Sequence, residues 1–220
     1  MRTAIYLILF IFISYSEILA QRLSKSSVEK LSKSVFEETT LTGLKFRSIG
    51  PAQTSGRVSD FAINPNNFKE YYVAAASGGV WKTVNAGTTY IPVFDEAGSY
   101  SIGCITMDPN NANVIWVGTG ENNNQRSVPY GDGVYKSIDG GETWKNMGLK
   151  SSEHIGKILV DPNNSNIIYV AAIGPLWSSG GERGVYKSVN GGETWRLMLG
   201  IDADTGINDL IMDPRDSQVI

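Results

Sequence analysis

Two polar inserts hold the residues with the widest chemical scope. The first, GENNNQRSVPYGDG, carries Glu121, Asn122, Asn123, Asn124, Gln125, Arg126, Tyr130 and Asp132; the second, GPLWSSGGERG, carries Trp177, Glu182 and Arg183. Acids and amides hydrogen-bond hydroxyls and backbone groups, while an aromatic face covers apolar ring surface, so this mixture suits a sugar or a peptide. Glu121, Asp132 and Glu182 are the candidate catalytic residues. Glycoside hydrolysis needs two carboxyl groups about 5 to 10 Å apart across one bond, and the spacing of these three along the chain fixes no such pair. A calcium site built from Glu121, Asp132 and nearby amide oxygens lacks a recognised ligand pattern, so no metal is assigned and no cofactor is expected. The structural alternative for the whole set is that Asn-rich loops satisfy only their own backbones.

The elements that must position these residues are repeats. SIDGGETW at Ser137–Trp144 returns as SVNGGETW at Ser188–Trp195 and as TVNAGTTY at Thr83–Tyr90, each after GVWK or GVYK. Such an octapeptide between short apolar-alternating runs reads as the tight turn of a β-hairpin. Asn85, Asp139 and Asn190 can accept hydrogen bonds from backbone N–H groups inside the turn, while Gly87, Gly141 and Gly192 supply positive φ; Ser137 and Ser188 open the second and third copies as structural residues. Tyr90, Trp144 and Trp195 are expected to fold back as apolar anchors. Upstream of each turn stands a strand pair, such as YSIGCITMDPNN followed by NVIWVGTG, and a fourth unit opens with GINDLIMDPRD. The turn prolines Pro65, Pro109, Pro162 and Pro214 recur after 44, 53 and 52 residues. A period near 50 with four short strands per unit predicts an all-β fold, a β-propeller of four-stranded blades. The expected blades are 56–98, 99–150, 151–203 and a partial 204–220. Because each blade buries its faces only against neighbours, the remaining partner is expected to be the rest of the same propeller, beyond residue 220.

That architecture sorts the candidates. Strand one is innermost, and the loops that enter it share a face with the loops joining strands two and three. The octapeptides and the NPNN or DPNN turns fall on the other face, as scaffold. Arg57, Ser101 and His154 align at the start of strand one, on the face that carries both inserts. The expected ligand-binding set is therefore Arg57, Glu121, Asn122, Asn123, Gln125, Arg126, Tyr130, His154, Trp177 and Arg183.

The chain has 220 residues, 41% hydrophobic and 19% charged, with a formal net charge of −3. A balance so close to neutral, without a run of Lys or Arg, excludes the electrostatic footprint of nucleic-acid binding. Arg2, the apolar run Ala4–Ile13 and Ile18-Leu19-Ala20 predict a secretory signal over 1–20, cleaved after Ala20. The apolar core is shorter than the roughly 20 residues of a membrane span, so no span is expected after cleavage. Residues 21–43 read as a leader with a short amphipathic helix within 24–38, and Leu44–Ile49 as a strand. Cys104 is the one cysteine, so packing and not disulfides must hold the exported chain. Within an apolar strand it is expected to be a buried, inert thiol.

FRSIGP, GRVSDFAINPNN, GGVWKTVNAGTTY, VGTGENNNQRSVPYGDGVYKSIDGGETW and GVYKSVNGGETW resemble large exported bacterial proteins related to the sortilin N-terminal propeller, often labelled glycosyl hydrolase. The octapeptide resembles the Asp box, the S/T-x-D/N-x-G-x-x-W/Y turn of the bacterial neuraminidase repeat in sialidases, xyloglucanases and the sortilin family. The resemblance implies a multi-bladed propeller, ligand recognition outside the cytoplasm and action on glycans. In the similar xyloglucanases a base aspartate precedes the double glycine after the first blade's second strand; here Ala76-Ser77 stand before Gly78-Gly79. Three functions follow as expectations: an exported module binding a glycan or polypeptide, a xyloglucanase- or sialidase-like hydrolase completed by later blades, and a structural or assembly propeller.

Overall fold

The computed structural model describes residues 57–123 and 128–220. The signal, the leader helix and the Leu44–Ile49 strand lie outside the described residues, as do Asn124, Gln125 and Arg126. Among the described residues, twelve strands form three antiparallel four-stranded sheets. The first holds β1 (Val58–Ile63), β2 (Tyr71–Ala75), β3 (Gly79–Thr83) and β4 (Ile91–Pro92). The second holds β5 (Ile102–Asp108), β6 (Asn111–Thr119), β7 (Val134–Ser137) and β8 (Lys145–Gly148). The third holds β9 (Ile155–Asp161), β10 (Asn164–Ala172), β11 (Gly184–Ser188) and β12 (Arg196–Leu199). Within each sheet the strands lie in chain order.

The first strands of successive sheets pack on one another, β1 on β5 and β5 on β9, with β2 and β6 also reaching the next sheet's first strand. Close approach there depends on glycine. A Cβ on Gly103 would collide with the carbonyl oxygen of Ile155, and one on Gly156 with that of Asn208, so the opening of the fourth repeat lies against β9 as β9 lies against β5. Between the first two sheets, Phe94 meets Tyr135 and Trp144 edge-on, with ring centroids 5.2 and 4.9 Å apart. Between the second and third, Trp116, Met147, Ile158 and Ile168 form a second buried cluster. Cys104 belongs to that cluster, and burial pushes its thiol up to about 12, which keeps it protonated and unreactive.

The octapeptide turns have one internal geometry. The Ser137 hydroxyl accepts from Gly141 N at 2.8 Å, and Asp139 Oδ1 accepts from Thr143 N at 2.9 Å. Ser188 and Asn190 repeat these bonds at 2.9 and 3.0 Å, and Thr83 and Asn85 at 3.0 and 2.9 Å. Gly87, Gly141 and Gly192 sit at φ 82°, 91° and 92°, where a side chain would be strained. Each turn also bonds the hairpin joining strands one and two of its own sheet: Ala86 N to Lys69 O, Gly140 N to Asn113 O, Gly191 N to Asn166 O. Both sets of turns therefore share one face.

Trp144 lies over Gly141 of its own turn and Tyr90 over Gly87, and the two indoles also reach beyond their turns. Trp144 Nε1 donates to Val93 O at 2.6 Å, and Trp195 Nε1 to Met147 O at 2.7 Å, each reaching the preceding sheet. Lysines reply from the other side, Lys82 Nζ to Gly140 O at 3.1 Å and Lys136 Nζ to Gly191 O at 3.0 Å. Tyr90 instead bonds Tyr71 of its own sheet at 2.8 Å.

Candidate functional site

On the opposite face, the sharp bend after β6 delivers Glu121 to the place where three first strands begin. Gly120, at φ 82°, makes the bend and donates to Ser101 O at 2.8 Å. Glu121 is then held at three different atoms. Its N–H donates to Ser101 Oγ at 3.0 Å, its carbonyl accepts from His154 Nδ1 at 2.9 Å, and its carboxylate pairs with the Arg57 guanidinium. Arg57, Ser101 and His154 are the residues that align at the start of strand one, so one glutamate ties three successive sheets together.

The electrostatics of this cluster are asymmetric. The Glu121 side chain is 2% exposed and that of Arg57 49%, so a buried carboxylate is paired with a guanidinium that still touches water. His154 is buried, and burial holds its imidazole below the usual histidine range despite the opposing charge of Glu153. Since the Glu121 carbonyl only accepts, Nδ1 of the neutral ring carries the proton. Arg57, Ser59, Glu121, Asn122, Asn123 and Asn208 line a cavity of about 360 Å³ beside the pair. Ser59 and Asn208, which neither insert contains, hold matching positions ahead of Pro65 and Pro214 in the first and fourth repeats, a signal that repeat alignment carries.

The second insert borders another cavity, of about 580 Å³, whose lining includes Trp177, Ser178, Arg183, Asp204 and Asn208. Trp177 stands 77% exposed at its edge. Arg183 is spent on its own loop, donating to the carbonyls of Gly180, Ile173, Pro175 and Ser178. Glu182 accepts from Ser151 N at 3.0 Å and Ser151 Oγ at 2.9 Å, bracing the 3-10 turn Lys150–Ser152. Asp132 accepts from the Tyr135 hydroxyl, which in turn accepts from Gly98 N at 3.2 Å. Burial and that carboxylate push the Tyr135 phenol up. The three candidate acids are thus engaged by three separate sets of partners. Tyr130 is 72% exposed. Among the described residues no group of three or more His, Cys, Asp or Glu is placed to hold a metal ion.

No family model matches the chain. It is similar to a xyloglucanase of Hypocrea jecorina (strain QM6a), 28% identical over 176 residues, 74% of this chain and 20% of that protein. Among solved structures it is similar to an ancestral GH74 enzyme, with TM-score 0.53 and 24% identity over 70% of this chain and 20% of that one. It is also similar to YCF48 bound to D1 peptide, with TM-score 0.50 and 13% identity over 74% and 46% of the two chains. Both neighbours are β-propellers, and three four-stranded sheets meeting at their first strands match that architecture. The fold is a β-propeller. Its sheets are blades, its first strands line the hub, and the Glu121 cluster occupies the hub end of one propeller face. The chain spans 20% of the length of the curated xyloglucanase it matches.

Proposed function

We propose that the chain forms part of an exported Asp-box propeller, of the sortilin-related kind, that binds a glycan or a polypeptide at the hub end of the face bearing Arg57, Glu121 and Asn208. In this reading residues 1–20 are the export signal, 21–43 a leader, and 44–220 belong to the propeller. The observation that carries it is the Glu121 cluster: a buried carboxylate, clamped by residues from three blades, presents a half-exposed arginine to a polar cavity. Rigid blades carrying function in the loops between them is the general pattern of such scaffolds. YCF48 bound to D1 peptide supports a polypeptide ligand, and the xyloglucanase and GH74 similarities support a glycan.

The similarity to a xyloglucanase favours a second reading, glycoside hydrolysis. Glu121 is then the acid to test, with an opposing carboxylate from elsewhere in the full-length protein. Full-length protein incubated with oligosaccharides separates the two. Saturable binding without product, weakened by Arg57→Ala, supports a binding module. Release of shorter sugars, lost on Glu121→Gln while binding persists, supports the hydrolase. An absence of both, with recovery of envelope partners on purification, returns the reading to an assembly propeller.

A further inference from the structure

The cavity beside Arg57 and Glu121 and the cavity beside Trp177 have one residue in common. Asn208 lines both hollows, of about 360 and 580 Å³. The charges in their walls balance, Glu121 and Asp204 against Arg57 and Arg183. Neither arginine is a bare cation: Arg57 is paired with Glu121, and Arg183 donates to four backbone carbonyls. What faces the groove is then a charge-balanced wall of engaged ionic side chains, amides and hydroxyls, with the Trp177 ring at its edge. A charged polymer would find no net opposite charge to offset its desolvation, whereas hydroxyl-rich rings find donors, acceptors and a stacking face.

Building on the glycan form of the proposed function, we infer that the joined cavities are one groove that takes an uncharged oligosaccharide. One ring stacks on Trp177, the hydroxyls at the junction bond Asn208, and the chain continues to the Arg57–Glu121 pair. Asn208 is the specificity-determining bridge, because a ligand confined to either cavity alone gains nothing from the other.

Calorimetric titration of the full-length protein with neutral oligosaccharides of two to six rings, and with chains of equal length bearing uronic acids, tests this. Affinity for neutral chains is expected to rise about tenfold or more with length, about 1.4 kcal/mol, and carboxylated chains are expected to bind more weakly. Trp177→Ala and Asn208→Ala should each remove the gain with length while leaving the melting temperature unchanged, and Ile138→Ala on the opposite face should do neither. Length-independent affinity, preference for the carboxylated chains, or full binding by both groove variants overturns the inference. Binding of a peptide but of no sugar overturns the groove and leaves the proposed face standing; failure of every ligand class removes both.

Discussion

Glu121 bonds through its N–H, its carbonyl and its carboxylate to three different blades, yet only the carboxylate bond is lost in Glu121→Gln. Breaking a fully buried pair costs about 3–5 kcal/mol. Here the orphaned arginine is half exposed and can rehydrate, so about 1–2 kcal/mol is expected, read as a lowered denaturant midpoint at unchanged slope. His154 gives a pH signature. Its folded pKa lies below the unfolded value near 6.5, so the unfolded chain takes up the proton first. Its contribution is fully present above pH 6.5 and is lost as pH falls from there towards the folded pKa. His154→Asn keeps a donor for the Glu121 carbonyl without titrating, and melting temperatures between pH 7.5 and 5 should flatten accordingly. Asp139 acts in a more acidic window. Bonds from the Thr143 and Ser137 side chains and from the Thr143 backbone hold its carboxyl at about 2 against an ordinary 3.8. Its contribution is therefore full above about pH 3.8 and lost as pH falls through about 2. Asp139→Asn, which copies Asn190 of the next blade, should leave stability at pH 7 unchanged and reduce the loss between pH 4 and 2, checked by melts across that range.

At the scale of elements, neighbouring blades are joined by a reciprocal pair of bonds, an indole donating backwards and a lysine donating forwards to a glycine carbonyl. Trp195→Phe keeps the ring and removes the bond to Met147 O, for an expected loss of about 1 kcal/mol. Trp195→Ala also empties the contact with the Trp116 ring, 6.5 Å away between centroids, and should cost about 3 kcal/mol, the low end for a tryptophan because the side chain is only partly buried. Chemical denaturation of both variants checks the difference. The turns and strands were legible in the sequence because their causes are local: a side-chain oxygen two or four residues from the N–H it caps, a glycine where φ must be positive, alternation where a strand is half buried. The acceptors of the Trp144 and Trp195 indoles were not legible, since they lie 51 and 48 residues earlier in the chain. Arg183 and Glu182 show the same limit. Their types suit ligands, and only the folded loop reveals the carbonyls and the serine that occupy them.

Across the whole molecule, the alignment of Arg57, Ser101 and His154 placed them at one end of the hub, and the structure gathers all three on Glu121. That much could be read from repeat spacing, because equivalent positions in successive blades come together wherever the first strands converge. The place of Asn208 in both cavity walls could not, since it depends on how near the fourth unit's opening comes to the first blade. That nearness rests on Gly156, and on Gly103 one blade before it, where hydrogen is the largest substituent the adjoining backbone allows. A methyl group at Gly156 would act as a wedge at the narrowest radius of the ring, widening the angular pitch between two sectors. In the proposed groove, Gly156→Ala is thus expected to weaken oligosaccharide capture without touching the sugar, by swinging Asn208 away from the rings that Trp177 would hold.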